Sequence, residues 1–311
     1  MIGTSRIEET ITSVREPPRG LDRRGRPPHV IGVRPKAWHR RLPGVLVAIG
    51  VLLAAGGGTA QDLPRRPIEY AAFAERVLRP PPADPAFART VGAEIVRLTN
   101  VERRKAGLRP VEADEELGRP ATAHAADMHR RRYFAHSTPE GLAPHDRIAG
   151  TVRRGVLAGT AENLYMAEGP WRAQLADVAR EAVEGWMNSP GHRANILRAA
   201  MTHLGVGIAA SDDRIYVVQN FADVRARLAD GIPARLRQGE TIRVVLAPGS
   251  TGGYTGVALL RPDVEGPVTK RPQALGPIAV DVPAGLWRVA LYRSVGPQRF
   301  EIAMGPLVLV E

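Results

Sequence analysis

The sequence predicts an α+β protein, and three observations carry that prediction. Apolar residues recur at helical spacing in three stretches between residues 85 and 186. HLGVGIAA (203–210) and RIYVVQNFADV (214–224) are runs of strand type joined by Ser211-Asp212-Asp213. Beyond about residue 226, five short β-type runs separated by Gly and Pro replace the helical pattern, which predicts a separate small all-β, sandwich-like module. The chain therefore divides into a basic leader (1–41), an apolar run (42–60), a linker (61–85), a mixed domain (86–224) and a β-rich accessory module (225–311).

Composition supports a folded protein. Of 311 residues, 44% are hydrophobic and 24% charged, enough to bury a core and to exclude wholesale disorder. The absence of cysteine excludes a disulfide scaffold, a thiolate metal site and a thiol nucleophile. The net charge of +11 is concentrated at the N-terminus: residues 1–60 hold ten Lys or Arg against four Asp or Glu, which is +6, leaving +5 for the rest. Only three of the 43 basic residues are lysines, and aromatics are 5%. An arginine excess spread this widely, with no basic stripe interleaved with aromatic rings, argues against a nucleic-acid partner.

The leader is polar, rich in Arg and Pro, and without apolar periodicity, so burial cannot offset its ordering entropy. It ends in His39-Arg40-Arg41, after which LPGVLVAIGVLLAAGGGTA runs without a charge. A basic flank, an apolar stretch and small residues before Gln61 are the parts of a secretory signal. The run also reaches the lower length for an uncleaved membrane anchor. Either way the basic flank stays cytoplasmic. The chain from about residue 62 is then secreted, periplasmic, or anchored to the inner membrane facing outward, with membrane contact only through this segment.

A short amphipathic piece at 68–79 precedes a proline break. Asp84 then offers a helix N-cap with Pro85 at the first position, and Phe87, Val91, Ile95, Leu98 and Val101 form an apolar face that stops at Gly107. A second helix opens on Asp114-Glu115-Glu116 and carries Leu117, Ala121, Ala125 and Met128. A third holds Trp171, Leu175, Val178, Ala182 and Trp186. Ser189-Pro190 starts a short helix, with Ser189 as its cap. His192 falls in the first turn, where the positive helix end disfavours imidazolium.

Six of the eight histidines lie between 124 and 203, and none follows, so a site is sought there and not in the β-module. Three stretches stand out: WMNSPGHRANIL with His192, the loop YFAHSTPEG with His136, and GTAENLY, a loop-to-strand segment with Glu162. His124 reads as a satisfied core histidine and His129 as solvent-facing beside Arg130-Arg131-Arg132. His145 and His203 read as loop residues. Asn163 reads as a backbone anchor, and Trp171 and Trp186 as core. In the β-module, Tyr254 and Trp287 present a choice between a glycan face and packing, with packing favoured for Trp287.

WMNSPGHRANIL, FAHSTPEG, TAENL, and HLGVGIA with YVVQNF resemble the bacterial branch of the CAP superfamily, the SCP-like extracellular proteins. The resemblance covers roughly residues 88–224. It implies an α-β-α sandwich with a central cleft, an extracellular or envelope location, and a divalent metal such as zinc held by histidines in many members. Eukaryotic members place two His and two Glu in the cleft. Matched onto this chain, these fall on His136, Glu162 and His192, while the second Glu position, three residues after Trp186, is Ser189. One acid is thus missing, and Glu184 on the same helix is the candidate substitute.

Two readings of the cleft follow. His136, Glu162 and His192 form a three-ligand metal site with an open position, or they hydrogen-bond among themselves and hold loops together. The alternative function is a metal-dependent or Ser/His-type, peptidase-like hydrolase acting on peptide or cell-wall substrates, with Ser137 and Ser189 beside the cleft histidines and Glu184 as candidates; no G-x-S-x-G or H-E-x-x-H motif is present. The favoured expectation is a non-enzymatic protein that binds an envelope or extracellular ligand, whether lipid, glycan or protein.

Overall fold

The computed structural model describes residues 63–168, 175–250, 252–262, 272–296 and 299–311. The leader, the apolar run at 42–60, and Trp171 with the start of the third helix lie outside the described residues. No helix among the described residues is long and apolar enough to cross a membrane.

Helix α1 (Tyr70–Val77) follows a 3-10 turn at Pro67–Glu69. Helix α2 (Pro85–Lys105) begins as its sequence dictates, with Asp84 Oδ1 accepting from the Phe87 amide at 2.8 Å and Pro85 at the first position. Gly107, with φ of 71°, turns the chain away from it. Asp114 caps α3 (Glu115–Arg131), accepting from the Leu117 amide at 3.2 Å. Helices α4 (Pro144–Thr151), α5 (Leu175–Met187) and α6 (Pro190–Ile196) complete the helical set among the described residues.

Four strands form the centre of the mixed domain: β1 (Glu112–Ala113), β2 (Gly155–Glu168), β3 (His203–Ala210) and β4 (Arg214–Arg227), in the order β1-β3-β4-β2. The alternation of β4 explains why helices cover both faces. Ile215, Val217 and Phe221 point into a core with Val91 and Ile95 of α2, Val178 and Trp186 of α5, and Ile196 of α6. Tyr216 and Val218 point the other way, against Phe73 of α1 and Ala121, Ala125 and Met128 of α3. This is the α-β-α sandwich. Each fully buried large apolar side chain, such as Phe221, stabilises it by about 1.5–3 kcal/mol.

Glycines set the distance between α3 and the sheet. A Cβ on Gly205 would lie 2.2 Å from the Gly118 nitrogen, and one on Gly207 would lie 2.0 Å from the Thr122 nitrogen. The LGVG stretch is thus a seat for the α3 backbone.

The C-terminal strands are β5 (Arg235–Leu236), β6 (Thr241–Val244), β7 (Gly256–Leu260), β8 (Gln273–Ala274), β9 (Gly276–Ala279), β10 (Gly285–Gly296) and β11 (Arg299–Val310). β6 and β9 pair as a second small sheet, and Ile242, Val244 and Ile278 share a core with Val257, Val289, Leu291 and Val308. This is the sandwich-like module, but it is joined to the mixed domain. β11 continues the main sheet by pairing with β2 at Met304 and Leu157, and β4 runs through the expected boundary at 224/225. Val156 and Ala226 enter the module's core, and Arg153 donates to the Ile232 and Pro233 carbonyls at 2.6 and 2.8 Å. Tyr254 is buried, and half-buried Trp287 donates its Nε1 to the Pro283 carbonyl.

Three local expectations are corrected. Glu162 lies in the middle of β2, opposite Asn220 of β4, not at a loop-to-strand junction. His145 belongs to α4 and is exposed beside Asp146, and His203 opens β3 opposite Ala222. His129 is half-buried, with Nε2 2.9 Å from Ser211 Oγ and its ring edge-on to Tyr216.

Candidate functional site

His136, Glu162 and His192 come together. His136 sits on the loop between α3 and α4, Glu162 on β2, and His192 in the first turn of α6. The two imidazole ring centroids are 6.5 Å apart with planes tilted by 34°. His136 Nδ1 lies 2.9 Å from Glu162 Oε1. Glu162 Oε2 accepts from Arg147 Nη2 at 2.6 Å, and the side chains of both residues are 1% exposed. His136 is the more open ring, with 26% of its side chain exposed.

Burial alone would push the Glu162 carboxyl up. The Arg147 guanidinium and the His136 hydrogen bond overcome it and hold the carboxyl down at about 2, so Glu162 is ionised at neutral pH. His192 is shifted down, first by burial and then by the neighbouring His136.

Ser189 stands at the N-cap position of α6, but its hydroxyl caps no backbone amide. Instead, Ser189 Oγ lies 2.8 Å from His192 Nδ1. Ser137 is exposed on the loop beyond His136. Glu184 does not replace the missing acid. It is 59% exposed, pairs with Arg180 at 3.4 Å, and lies two residues from Trp186, whose Nε1 donates inward to the Leu164 carbonyl at 2.8 Å. Positions two apart on a helix face opposite ways.

In this arrangement Glu162 is held by protein partners. Both Glu162 oxygens are engaged, and no group of three or more His, Asp or Glu among the described residues is arranged to hold a metal ion. What remains available is a pair of imidazoles, each with Nδ1 tied and Nε2 without a protein partner among the described residues.

Polar residues behind the cleft fix these elements. Asn163 donates to the His192 carbonyl at 3.3 Å and to Gln219 Oε1 at 3.0 Å, the anchor its position suggested. Asn195 donates to the Glu162 carbonyl at 3.1 Å and to Asn163 Oδ1 at 2.9 Å. Fully buried Arg103 donates to the carbonyls of Ile196, Arg198 and Met201, which holds the chain leaving α6. His124 is the satisfied core histidine expected: its Nε2 donates to the Ala135 carbonyl at 2.9 Å, and burial pushes it down to about 3. Arg147, Asn195 and Arg103 were not read from the sequence. In a chain with 40 arginines, a buried one carries no compositional mark.

Residues 96–221 match the family model described as CAP: Cysteine-rich secretory protein family. The chain is 40% identical over 119 residues to the uncharacterized protein YkwD of Bacillus subtilis, covering 38% of this chain and 42% of that one. It is 37% identical over 128 residues to the uncharacterized membrane protein YlbC of the same organism, covering 41% and 33%. The chain therefore spans less than half the length of these curated relatives. Among solved structures, an extracellular protein containing a SCP domain from Bacillus anthracis is 32% identical, covering 43% of this chain and 41% of that one with a TM-score of 0.36. The stretch from the second half of α2 to β4, which carries His136, Glu162 and His192, is a CAP domain.

Proposed function

We propose that this chain is an exported protein that binds a ligand through the His136–His192 cleft of its CAP domain, in the cell envelope or outside the cell. The observation that carries the reading is the imidazole pair, 6.5 Å apart, with each Nδ1 tied back to the protein. A pair of rings oriented in this way is prepared to contact a guest through Nε2, as a hydrogen-bonding partner or as two ligands to a divalent cation such as zinc. In the second case Glu162 orients His136 from behind, and the cation keeps positions for water or ligand. Export is supported by the basic-then-apolar order of residues 39–60.

The one contact that favours hydrolysis is Ser189 with His192. A Ser–His–acid arrangement needs the acid on that same imidazole, and Glu162 instead serves His136. The nucleophile candidate and the acid are thus on different rings, which favours binding over turnover.

Native mass spectrometry of the full chain purified from its own host tests the reading. The wild type is expected to carry a bound ion or small molecule that is lost from His136→Ala/His192→Ala. Identical spectra for the two proteins reject it.

A further inference from the structure

Arg147 reaches His136 from two directions. Its Nη1 donates to the His136 carbonyl oxygen at 2.6 Å. Its Nη2 donates at 2.6 Å to Glu162 Oε2, and the other Glu162 oxygen lies 2.9 Å from His136 Nδ1. Nη1 also donates to the Leu142 carbonyl at 3.0 Å, which closes the loop 136–142 onto α4. Arg147 and Glu162 are buried, so these charge-assisted bonds act where water screens them least.

An ionised carboxylate can only accept a hydrogen bond. The His136 nitrogen facing it must carry the proton, and in the neutral ring the lone pair is then on Nε2. We propose that Arg147 is a positioning residue of the cleft: gripping Glu162 and the His136 backbone together, it fixes His136 as the Nδ1–H tautomer. Nε2 becomes an electron-pair donor, so the cleft favours a guest offering a hydrogen-bond donor or an electron-pair acceptor over an anion. This rests on the cleft being a binding site and names the chemistry of its guest. Lysine cannot replace this grip, because a point charge lacks the planar fork that meets a carbonyl and a carboxylate at once.

His124 provides an internal contrast. Its Nε2 lies 2.9 Å from the Ala135 carbonyl, which also only accepts, so His124 is the Nε2–H tautomer. His136, bonded to Glu162 of β2, and His124, bonded to the carbonyl of the loop residue just before His136, are thus held in opposite proton arrangements.

Long-range proton–nitrogen NMR of the full chain, labelled with nitrogen-15 histidine, reads both. The His136 signal is assigned by its loss in His136→Gln. The wild type is expected to show His136 as Nδ1–H and His124 as Nε2–H at a pH where both rings are neutral. Arg147→Lys is expected to turn His136 into a mixture of tautomers while His124 stays unchanged, which also reports that the variant folds. Glu162→Gln, whose oxygen accepts from Arg147 and whose amide N–H then faces Nδ1, is expected to shift His136 toward Nε2–H and serves if Arg147→Lys does not fold. A wild-type His136 found as Nε2–H overturns the proposal, as does a folded Arg147→Lys in which His136 remains wholly Nδ1–H. Zinc chloride is then expected to shift the His136 Nε2 signal and sodium phosphate to leave it in place; the reverse overturns the guest chemistry. The tautomer is read without any guest, so its failure is distinguishable from a failure to bind.

Discussion

Ser189 Oγ lies 2.8 Å from Nδ1 of His192, three residues along the same short helix. The hydroxyl at the N-cap position of α6 therefore serves the imidazole and not the helix backbone. Ser189→Ala leaves a buried ring nitrogen without its partner and is expected to destabilise the protein by about 1–3 kcal/mol. Amide exchange in the first turn of α6 should change little beyond this global loss. Selective fraying of that turn in the variant would show instead that the hydroxyl caps the helix.

Stability should fall in acid over two windows. His124 is pushed down to about 3 from an ordinary 6.5, so below 6.5 the unfolded chain binds the proton more readily and stability is lost as pH falls toward 3. Glu162 is held at about 2 against an ordinary 4.5; its contribution is complete above 4.5 and is lost as pH falls through 2. Burial raises Asp127, which offsets part of this loss. Thermal midpoints measured from pH 7 to pH 2 should decline from about pH 6.5. A flat profile down to pH 3 would contradict the burial of neutral His124.

Removing one side of the buried ion pair should be far worse than removing both. Arg147→Met strands the Glu162 carboxylate and is expected to cost about 3–5 kcal/mol. Adding Glu162→Gln to it should recover part of that loss in urea unfolding. Additive effects in the double variant would mean that the two residues are not coupled.

Gly207→Ala places a methyl 2.0 Å from the Thr122 nitrogen, where the neighbour is helix backbone and cannot swing aside. The expected loss is about 3 kcal/mol or more, read by urea unfolding. A neutral result would mean that α3 does not rest on β3 at this distance.

Much of the fold was legible because its signals are local. Asp84 and Asp114 announced their helices, Gly107 ended one, and the two strand runs lie close to where they were read. Glu162 and Asn163 obscured β2, because a carboxylate and an amide interrupt an apolar run at the positions where partners from α4 and α6 satisfy them. His136, Glu162 and His192 were found by resemblance, and the fold brings them together. The share of Glu162 taken by Arg147 was invisible, since it depends on a contact between a helix and a strand whose facing residues carry no pattern. Glu184 misled because proximity in sequence to Trp186 is opposition on a helix.

Isothermal titration of zinc chloride into the wild type, His136→Ala and His192→Ala addresses the cleft most directly. Binding to the wild type, weakened about tenfold or more in each variant, is the predicted result, a loss of about 1.4 kcal/mol or greater. Equal affinity in all three proteins would contradict a shared imidazole site.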